Sequence, residues 1–499
     1  MTKQTIQPSE DEGTLHFDVL VVGAGISGIG AAFHLQRDCP GMSFAVLDSH
    51  DSYGGTWLIH RYPGARSDSD LFTFGYGFKP WKGAPIATRA QILSYLGEVI
   101  EENHLGPRMR YRHAIQSAAW SSETNLWTLE VSCGDASSIK RLTTRFLWMC
   151  QGYYRHSEGY TPPWAGIESY KGRLVHPQLW PDDLDYANKK VLIIGSGATA
   201  ATLVPAIADQ CEHVTMLQRT PTYFATGRNA DALADELRRL EVDDQWIHEI
   251  IRRKVVYDRA ALMQRARDEP EALREQLLST VRAHLGPDYD VDRHFSPPYR
   301  PMQQRVAFIP DGDLFKAIRA NKASVVTDEI ERFTTTGVLL KSGQSIEADI
   351  VITATGFHIS LMGDIQFTID GKALIPPDTV SFRGIMLTGV PNFAWIFGYN
   401  LYSWTLRSDL VAAFVCRLLQ HMREQGHQRV MPALRPEDAD MRVGPWVEPD
   451  KFNSGYFMRG QHLFPKRGDK PEWQHSQDYA YERQALPNVN LDDALFLYA

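Results

Sequence analysis

Two copies of one pattern, a β-rich apolar strand followed by a glycine-rich turn and an apolar helix, predict an α/β fold with two Rossmann-like domains. In the first copy the strand covers residues 17–22, and the turn has the sequence GAGISG at 23–28. In the second copy the strand covers 190–194, and the turn has the sequence GSGATA at 195–200. Glycine permits a sharp turn from a strand into a helix, so each copy is expected to begin one domain.

The composition agrees with a folded protein of two or three domains, the number that 499 residues allow at about 150 residues per domain. Hydrophobic residues make up 43% and charged residues 22%, which excludes wholesale disorder and a collagen-like repeat. The net charge of -8 argues against a nucleic-acid-binding protein. The five cysteines are scattered and form no C-x-x-C pair, which favours a reducing cytoplasm.

The first residues and the longest apolar run indicate no membrane-spanning segment. Residues 1–14 lack the basic-then-apolar pattern of a secretory signal, and we expect them to form a loose leader. The apolar run at 19–33 is short for a membrane span and contains four glycines. We therefore expect a cytoplasmic protein, with peripheral membrane association left open.

The first glycine turn predicts a site for an adenine dinucleotide with free ribose hydroxyls. Its glycines let the backbone approach a diphosphate, and the following helix N-terminus offers N–H groups and positive potential. A second strand at 44–47 ends in Asp48, whose carboxylate is placed to accept hydrogen bonds from ribose hydroxyls. The predicted site comprises Gly23, Gly25, Ser27, Gly28 and Asp48.

The second glycine turn predicts a site for NADPH. The strand at 214–218 is followed by Arg219 and Thr220, where the first copy has an acid. A carboxylate would repel a 2'-phosphate, whereas a guanidinium binds it through charge-assisted hydrogen bonds. The predicted site comprises Gly195, Ser196, Gly197, Ala198, Thr199, Ala200, Ala201, Arg219 and Thr220.

Local patterns predict further elements between these units. A capping box at 88–91 begins an amphipathic helix, and alternating segments at 114–120 and 126–131 indicate a β-hairpin or meander. Large aromatic side chains more often fill cores than line pockets. We expect core positions for Trp180, Trp395 and Trp404.

Two later segments complete the second unit. Residues 229–295 are charged and helical, and we expect an insertion whose charge forms a solvated outer face rather than a binding patch. Residues 345–355 are expected to form a strand that brings Asp349 towards the turn at 354–357.

Two dinucleotide sites in one chain indicate two cofactors, and the natural pair is a tightly held flavin and a diffusible nicotinamide. The cysteines provide no dithiol for disulfide reduction. The sequence also lacks an H-E-x-x-H metal motif and a G-x-S-x-G nucleophile elbow, and we predict no metal. Oxygen is the remaining common electron acceptor.

Several motifs resemble the class B flavoprotein monooxygenases and, within them, the Baeyer–Villiger monooxygenases. Residues 170–181 (YKGRLVHPQLWP) are similar to the fingerprint F-x-G-x-x-x-H-x-x-x-W-P, with Tyr170 in place of Phe. The segments 54–57, 61–68 and 354–357 also match, and the motifs occur in family order. A closer resemblance, to the ethionamide-activating branch, lies in the segments 66–70, 304–305, 310–315 and 325–328.

The resemblance implies an enzyme with FAD as its cofactor and with NADPH and molecular oxygen as co-substrates. It would convert ketones to esters or lactones through a C4a-peroxyflavin. It also implies oxidation of thioethers to sulfoxides. Arg305 matches the family's active-site arginine, and Asp68 beside it would orient the guanidinium, so both are predicted to be catalytic. The other positions that match cofactor contacts are Thr56, Trp57, Leu58, Ile59, Arg66, Ser67, Asp68 and Gln116.

The motif positions also predict how the domains divide the chain. We assign residues 1–155 and 357–499 to a discontinuous FAD-binding domain. Residues 156–228 and 296–356 form the NADP-binding domain, which carries the helical insertion at 229–295. We expect His176 of the fingerprint to link the two domains rather than to catalyse.

A departure from the family pattern at Gln304 bears on cofactor choice, and two other functions remain open at this point. Gln304 stands where many Baeyer–Villiger enzymes carry a lysine that contacts the nicotinamide cofactor's phosphate, so Arg219 is expected to provide NADPH selectivity with less help. One alternative is an N- or S-oxidising flavin monooxygenase that uses a hydroperoxyflavin. The other is a nucleotide-binding redox sensor without oxygenation. The oligomeric state stays open.

Overall fold

The computed structural model describes residues 15–134 and 138–499, and the predicted leader at 1–14 lies outside them. The α-helices are α1 (Ile26–Asp38), α2 (Thr56–Ile59), α3 (Leu71–Phe74), α4 (Arg89–Glu102), α5 (Ala198–Ile207), α6 (Ala232–Arg239), α7 (Asp244–Asp268), α8 (Pro270–Leu285), α9 (Val291–Phe295), α10 (Asp313–Arg319), α11 (Trp404–Gln425), α12 (Gly455–Gly460) and α13 (Tyr479–Ala485).

The strands are β1 (Leu15–Val22), β2 (Phe44–Leu47), β3 (Met109–Arg110), β4 (His113–Ser121), β5 (Leu126–Cys133), β6 (Ser138–Met149), β7 (Tyr154–Gly159), β8 (Arg173–Val175), β9 (Lys190–Ile194), β10 (His213–Gln218), β11 (Phe224–Gly227), β12 (Ala307–Pro310), β13 (Ala323–Thr327), β14 (Ile330–Phe333), β15 (Gly337–Leu340), β16 (Ser345–Glu347), β17 (Ile350–Thr353), β18 (Phe357–Ile359), β19 (Gln366–Ile369), β20 (Lys372–Ala373), β21 (Ser381–Phe382), β22 (Met386–Leu387), β23 (Phe393–Trp395), β24 (Val430–Pro432), β25 (Val443–Gly444), β26 (Arg467–Gly468) and β27 (Phe496–Tyr498).

The larger sheet has the strand order β20-β19-β4-β5-β6-β1-β2-β3, and β23 pairs with the end of β6. Strands β6, β1, β2 and β3 run parallel, whereas β4, β5 and β6 form an antiparallel meander. Helices α1, α4 and α11 cover one face of this sheet and share its core. The other face packs against aromatic side chains, including Trp127 and Trp395.

The smaller sheet is fully parallel, with the order β13-β10-β9-β17-β8. Its central strands β9 and β17 are almost wholly buried, because helix α5 and the insertion cover one face and a β-ribbon covers the other. Both sheets therefore place the end of a parallel strand next to a glycine turn, as the two-domain α/β prediction requires.

Most predicted elements form where the patterns place them. Strands β2 and β9 have the predicted bounds, β1 and β10 begin one or two residues earlier, and β4 pairs with β5 as an antiparallel hairpin. The capping box is present, since the Thr88 side chain accepts from the N–H of Gln91 and the Gln91 side chain accepts from the N–H of Thr88.

The prediction of one strand at 345–355 is wrong. Strand β16 pairs antiparallel with β15, whereas β17 joins the parallel sheet, and Ala348 and Asp349 separate them. Asp349 lies at the start of β17, where its Oδ2 accepts from the N–H of Lys190 at 2.9 Å. It is therefore at the opposite end of the strand from the turn at 354–357.

Two crossing segments connect the sheets. After β6 the chain passes through β7, and after β17 it passes through β18. These two strands pair antiparallel, with Phe357 opposite Gly159 and Ile359 opposite Tyr154. The proposed domain boundaries fall within this ribbon.

The charge of the insertion does not lie only on its outer face, contrary to expectation. Helix α7 packs against α3, and Arg252 of α7 is 8% exposed. Its Nη1 donates to the carbonyl oxygens of Phe72 at 3.0 Å and Gly75 at 2.9 Å. These carbonyls end helix α3, and a cation there satisfies oxygens that have no partner within the helix.

No α-helix within 15–134 and 138–499 is long and apolar enough to cross a membrane.

One close contact recurs in both sheets. Gly23 has φ +103°, and a Cβ at this position would lie 2.8 Å from the carbonyl oxygen of Cys150. Gly195 has φ +125°, and a Cβ there would lie 2.3 Å from the carbonyl oxygen of Ala354. In each domain the first glycine thus lets the turn pack directly on the backbone that leaves the neighbouring strand.

We expect Gly195→Ala to lower the free energy of unfolding by about 1–3 kcal/mol, because the side chain would be strained and would overlap the Ala354 carbonyl. The thermal unfolding midpoint measures this effect. Gly197→Ala is the matched control, since Gly197 has φ -74° and open space at its Cβ position. Equal midpoints for the two variants would contradict the packing role of Gly195.

Candidate active site

A cleft of about 680 Å³ lies where the two glycine turns face each other. It is bounded by the carboxyl ends of β1 and β9 and by the crossing segments. Ligands of open α/β sheets bind at such strand ends, so the topology points to this cleft as the site.

The first glycine turn presents backbone donors to the cleft. Gly25 caps α1 without a side-chain hydrogen bond, and the N–H groups of Gly25, Ile26 and Ser27 have no acceptor among the described residues. Asp48 accepts from the N–H of Ala24 at 2.6 Å, and burial raises its pKa. Free N–H groups at a helix N-terminus suit the diphosphate of a dinucleotide.

The second turn repeats this arrangement. Gly197 caps α5 without a side-chain hydrogen bond, and the N–H groups of Ser196 and Ala198 find no acceptor within the described parts of the chain. The Ser196 hydroxyl donates to the carbonyl oxygen of Thr220 at 3.2 Å, which ties the turn to the end of β10. Arg219 beside it is exposed and forms no ion pair with a described carboxylate.

Arg459 is a second cation at this end of the cleft, and the sequence motifs do not indicate it. Its guanidinium carbon lies 3.6 Å from the ring centre of Tyr160, a cation–π contact. Burial lowers the pKa of Arg459, and the charge of Arg219 lowers it further. The two arginines, from segments far apart in sequence, thus repel each other in the absence of an anion.

Arg305 and Asp68, which also line the cleft, form an ion pair. Nη1 of Arg305 donates to Oδ2 of Asp68 at 2.8 Å, and the two side chains are 38% and 37% exposed. The carboxylate charge is the main cause that raises the pKa of Arg305. Both residues also line a second cavity, of about 420 Å³, beneath the insertion. The ion pair therefore lies where the cleft and the second cavity meet.

The histidines that line the cleft are neutral at pH 7. Nε2 of His60 lies 3.1 Å from the hydroxyl of Tyr154, and Nε2 of His176 lies 3.1 Å from the carbonyl oxygen of Gly356. Burial lowers the pKa of His60, His156 and His176 to about 4. His176 thus contacts the backbone just before β18, at a residue of the same predicted domain, and its predicted role in linking the two domains stays a prediction.

The structure brings most of the predicted site residues into one cleft. Those that line it are Gly23, Gly25, Ser27, Asp48, Thr56, Trp57, Arg66, Asp68, Gly195, Ser196, Gly197, Ala198, Thr199, Arg219, Thr220 and Arg305. Those that do not line it are Gly28, Leu58, Ile59, Ser67, Gln116, Ala200 and Ala201.

The residues outside the cleft have local reasons for their positions. Gly28 packs beneath the first turn, where a Cβ would lie 1.7 Å from the carbonyl oxygen of Gly23. The Ser67 hydroxyl accepts from the N–H of Ala87 at 3.2 Å, inside the core. Gln116 is exposed at a bulge in β4, and its Nε2 contacts only the nearby carbonyl of Ala114. The structure gives Gln116 no contact with the cleft.

Other cleft residues come from segments without a recognisable motif. Trp404 lines the cleft and donates from Nε1 to the Ser27 hydroxyl at 2.8 Å, so its expected core position is wrong. Trp180 and Trp395 are buried, as expected. Tyr153 and Tyr456 also line the cleft, with hydroxyls 3.5 Å apart. Only the folded chain brings these aromatic groups together.

The neutral histidines predict a dependence of stability on pH. The unfolded chain takes up protons at these histidines near pH 6.5, whereas the folded chain does so only near pH 4, so acidification through this window favours unfolding. We expect the thermal unfolding midpoint to fall by several degrees between pH 7 and pH 5. His60→Gln should reduce the fall, and a midpoint that is constant over this range would contradict the burial of neutral histidines.

Comparisons with known proteins agree with this geometry. A family model described as an NAD(P)-binding Rossmann-like domain matches residues 21–91. The chain is 43% identical over 482 residues to the FAD-containing monooxygenase EthA of Mycobacterium tuberculosis, covering 96% of this chain and 97% of the relative. It is 42% identical over 482 residues to EthA of Mycolicibacterium smegmatis, covering 96% of each protein.

Solved structures match the fold over most of the chain. A steroid monooxygenase bound to NADP aligns with a TM-score of 0.75 and 22% identity, covering 97% of this chain and 99% of that one. Cyclohexanone monooxygenase from Rhodococcus sp. Phi1, bound to NADP+, aligns with a TM-score of 0.70 and 21% identity, covering 85% and 87%. The resemblance drawn from the motifs is confirmed: the chain belongs to the EthA-type FAD-containing monooxygenases and has the fold of the Baeyer–Villiger monooxygenases.

Proposed function

We propose that this chain is an FAD- and NADPH-dependent Baeyer–Villiger monooxygenase that uses molecular oxygen to convert ketones to esters or lactones and also oxidises thioethers. The observation that carries this proposal is the Arg305–Asp68 pair at the junction of the nucleotide cleft and a second cavity. A fixed cation at such a junction faces both the bound nucleotides and an organic substrate.

The first half of the cleft fits FAD. The free N–H groups of the first turn would bind the diphosphate, and Asp48 would accept from the ribose, since a carboxylate accepts more hydrogen bonds than the two it already has. Trp57, Tyr153 and Trp404 surround the space beyond the turn with aromatic surface, which suits a flat ring system. Bound FAD, reduced by NADPH, would supply the oxygen-transfer chemistry.

The second half of the cleft fits NADPH. The turn at 195–200 would bind its diphosphate, and Arg219 would bind the 2'-phosphate through charge-assisted hydrogen bonds. Arg459 would add a second positive charge at the same place, which compensates for the family lysine that Gln304 replaces. Gln304 instead donates from Nε2 to Oδ1 of Asn453 at 3.0 Å.

Arg305 is the residue that would act on the substrate. Its guanidinium can donate to a carbonyl oxygen as negative charge develops there, and a donor already in place stabilises that charge without reorganisation. Asp68 holds one end of the guanidinium, so the remaining N–H groups have a fixed direction. Because Asp68 raises the pKa of Arg305, the group keeps its proton throughout.

Arg66 would contribute indirectly. Its guanidinium forms a bidentate pair with Asp313, at the start of α10 in the second domain. This pair joins the segment that carries Asp68 to the NADP-binding half. We assign Arg66 and Ser67 the role of positioning Asp68.

We expect Arg305→Ala to lower ester formation from a ketone by about a hundred-fold or more, because the developing charge loses its donor. Reduction of bound FAD by NADPH should continue at the parent rate, since Arg219 and the glycine turns are unchanged. Product analysis by gas chromatography and stopped-flow absorbance of the flavin measure the two effects. Arg300→Ala, an exposed position in the same segment, is the control.

Two outcomes would overturn parts of the proposal. Unchanged ester formation in Arg305→Ala would refute the role of Arg305. Sulfoxide formation from a thioether, without ester from any of a panel of linear, cyclic and aryl ketones, would favour an N- or S-oxidising enzyme instead.

We expect Arg219→Ala and Arg459→Ala each to raise the KM for NADPH by about ten-fold or more, because each removes a charge-assisted contact with the 2'-phosphate. The KM for NADH, which lacks this phosphate, should change little. Steady-state oxidation of the two nucleotides gives both constants. Arg173→Ala is the control, since Arg173 pairs with Asp183 on the surface of the same domain. Equal effects on the two nucleotides would contradict the assignment.

A further inference from the structure

The second cavity has a largely apolar wall beneath the insertion. Helices α7 and α8 contribute side chains such as Val255, Leu262 and Leu277. The cavity, of about 420 Å³, opens to Asp68 and Arg305 at the nucleotide cleft. An organic chain can therefore lie here with one end at the reactive junction.

Arg259 of α7 lines this cavity without a counter-ion among residues 15–134 and 138–499. Its Nε donates to the carbonyl oxygen of Leu401 at 2.8 Å, and its Nη2 donates to the same oxygen. No carboxylate of the described residues pairs with it, and its Nη1 has no acceptor among them. Burial, and then the charge of Arg305, lower the pKa of Arg259 to about 10, so the group is charged at pH 7.

The other charged groups of the cavity do not neutralise Arg259. Asp68 is engaged by Arg305, and burial raises the pKa of Asp70 to about 7, which removes much of its charge near neutral pH. Arg265 pairs with Glu269, which lies outside the cavity. The charged side chains that line it are Asp68, Asp70, Arg228, Arg259, Arg265 and Arg305. The space is therefore apolar and positively charged.

We propose that this cavity binds a substrate with an apolar chain and a carboxylate, and that Nη1 of Arg259 donates to the carboxylate while Arg305 faces the carbonyl or sulfur to be oxidised. The substrate class is thus linear oxo acids and thioether acids. A guanidinium suits a carboxylate, which accepts from planar N–H groups, and the anion would offset the cost of a partly buried cation that has no carboxylate among the described residues. This inference rests on the proposed function for its reactive end.

The test compares a homologous series of linear oxo acids with their methyl esters, using the FAD-loaded enzyme and NADPH. We expect the best oxo acid to have a kcat/KM about ten-fold or more above that of its ester, the gain of a charge-assisted hydrogen bond. Arg259→Gln should remove this preference, so that the acid and its ester have similar kcat/KM values. Arg259→Lys, which keeps the charge, should retain part of it.

Controls separate charge from folding. Arg253→Gln changes an exposed arginine of the same helix, paired with Glu249, and should leave the preference intact. Flavin absorbance and the rate of flavin reduction by NADPH show that each variant is folded. Ester oxidation with no preference for the acid, or a preference that survives in Arg259→Gln, would overturn this inference.

A binding measurement distinguishes failure of this inference from failure of the proposed function. If no ketone in the panel is oxidised, the proposed function fails, yet titration calorimetry with octanoate and 1-octanol still tests the site. We expect octanoate to bind more tightly than 1-octanol to the FAD-loaded enzyme, and Arg259→Gln to abolish the difference. Equal binding of the two probes would overturn the assignment of Arg259.

Discussion

In each domain, the first glycine of the turn packs against the carbonyl group of the residue that follows the neighbouring strand, and this contact holds the middle of the molecule together. Gly23 packs on Cys150, and Gly195 packs on Ala354, each with a positive φ that L side chains rarely adopt. Because each glycine packs against this carbonyl, the segment that follows the strand passes directly over the glycine turn of the same domain. The two departing segments then pair as β7 and β18, so one constraint, met twice, determines how the domains are joined.

The cleft follows from this arrangement. The departing segments lie along its floor and carry Tyr153, Tyr154 and Phe357 into it. His60 contacts the Tyr154 hydroxyl and His176 the Gly356 carbonyl, and burial lowers the pKa of both histidines to about 4. The free N–H groups of the two glycine turns and the arginines of the cleft are the polar groups that a dinucleotide would contact.

The sequence predicts the repeated unit well and the assembled site only in part. The strands, the turns and Asp48 follow from local pattern, because glycine spacing and hydrophobic periodicity act within a few residues. Arg305 and Asp68 were found only through family resemblance, since nothing local distinguishes them from surface residues. Arg459 and Arg259 were not predicted, because the roles proposed for them depend on which distant groups face them. The prediction of one strand at 345–355 was wrong for a related reason, because the residues on either side of Asp349 pair with different sheets.

Arg407, Arg305 and Arg259 differ in how many of their donors the described residues occupy. Arg407 is fully buried, pairs with Glu482 and also donates to the carbonyl of Phe397, so its donors are used and its role is to hold α11 to the C-terminal segment. Arg305 has one carboxylate, which orients it but leaves donors free. Arg259 has none. The net charge of -8 does not show these differences between individual arginines. An arginine that lines a cavity without a carboxylate partner is unfavourable, and an anionic ligand bound there would offset that cost. In the functions proposed above, Arg305 uses its remaining donors on the substrate, and Arg259 uses its free Nη1 to bind the carboxylate.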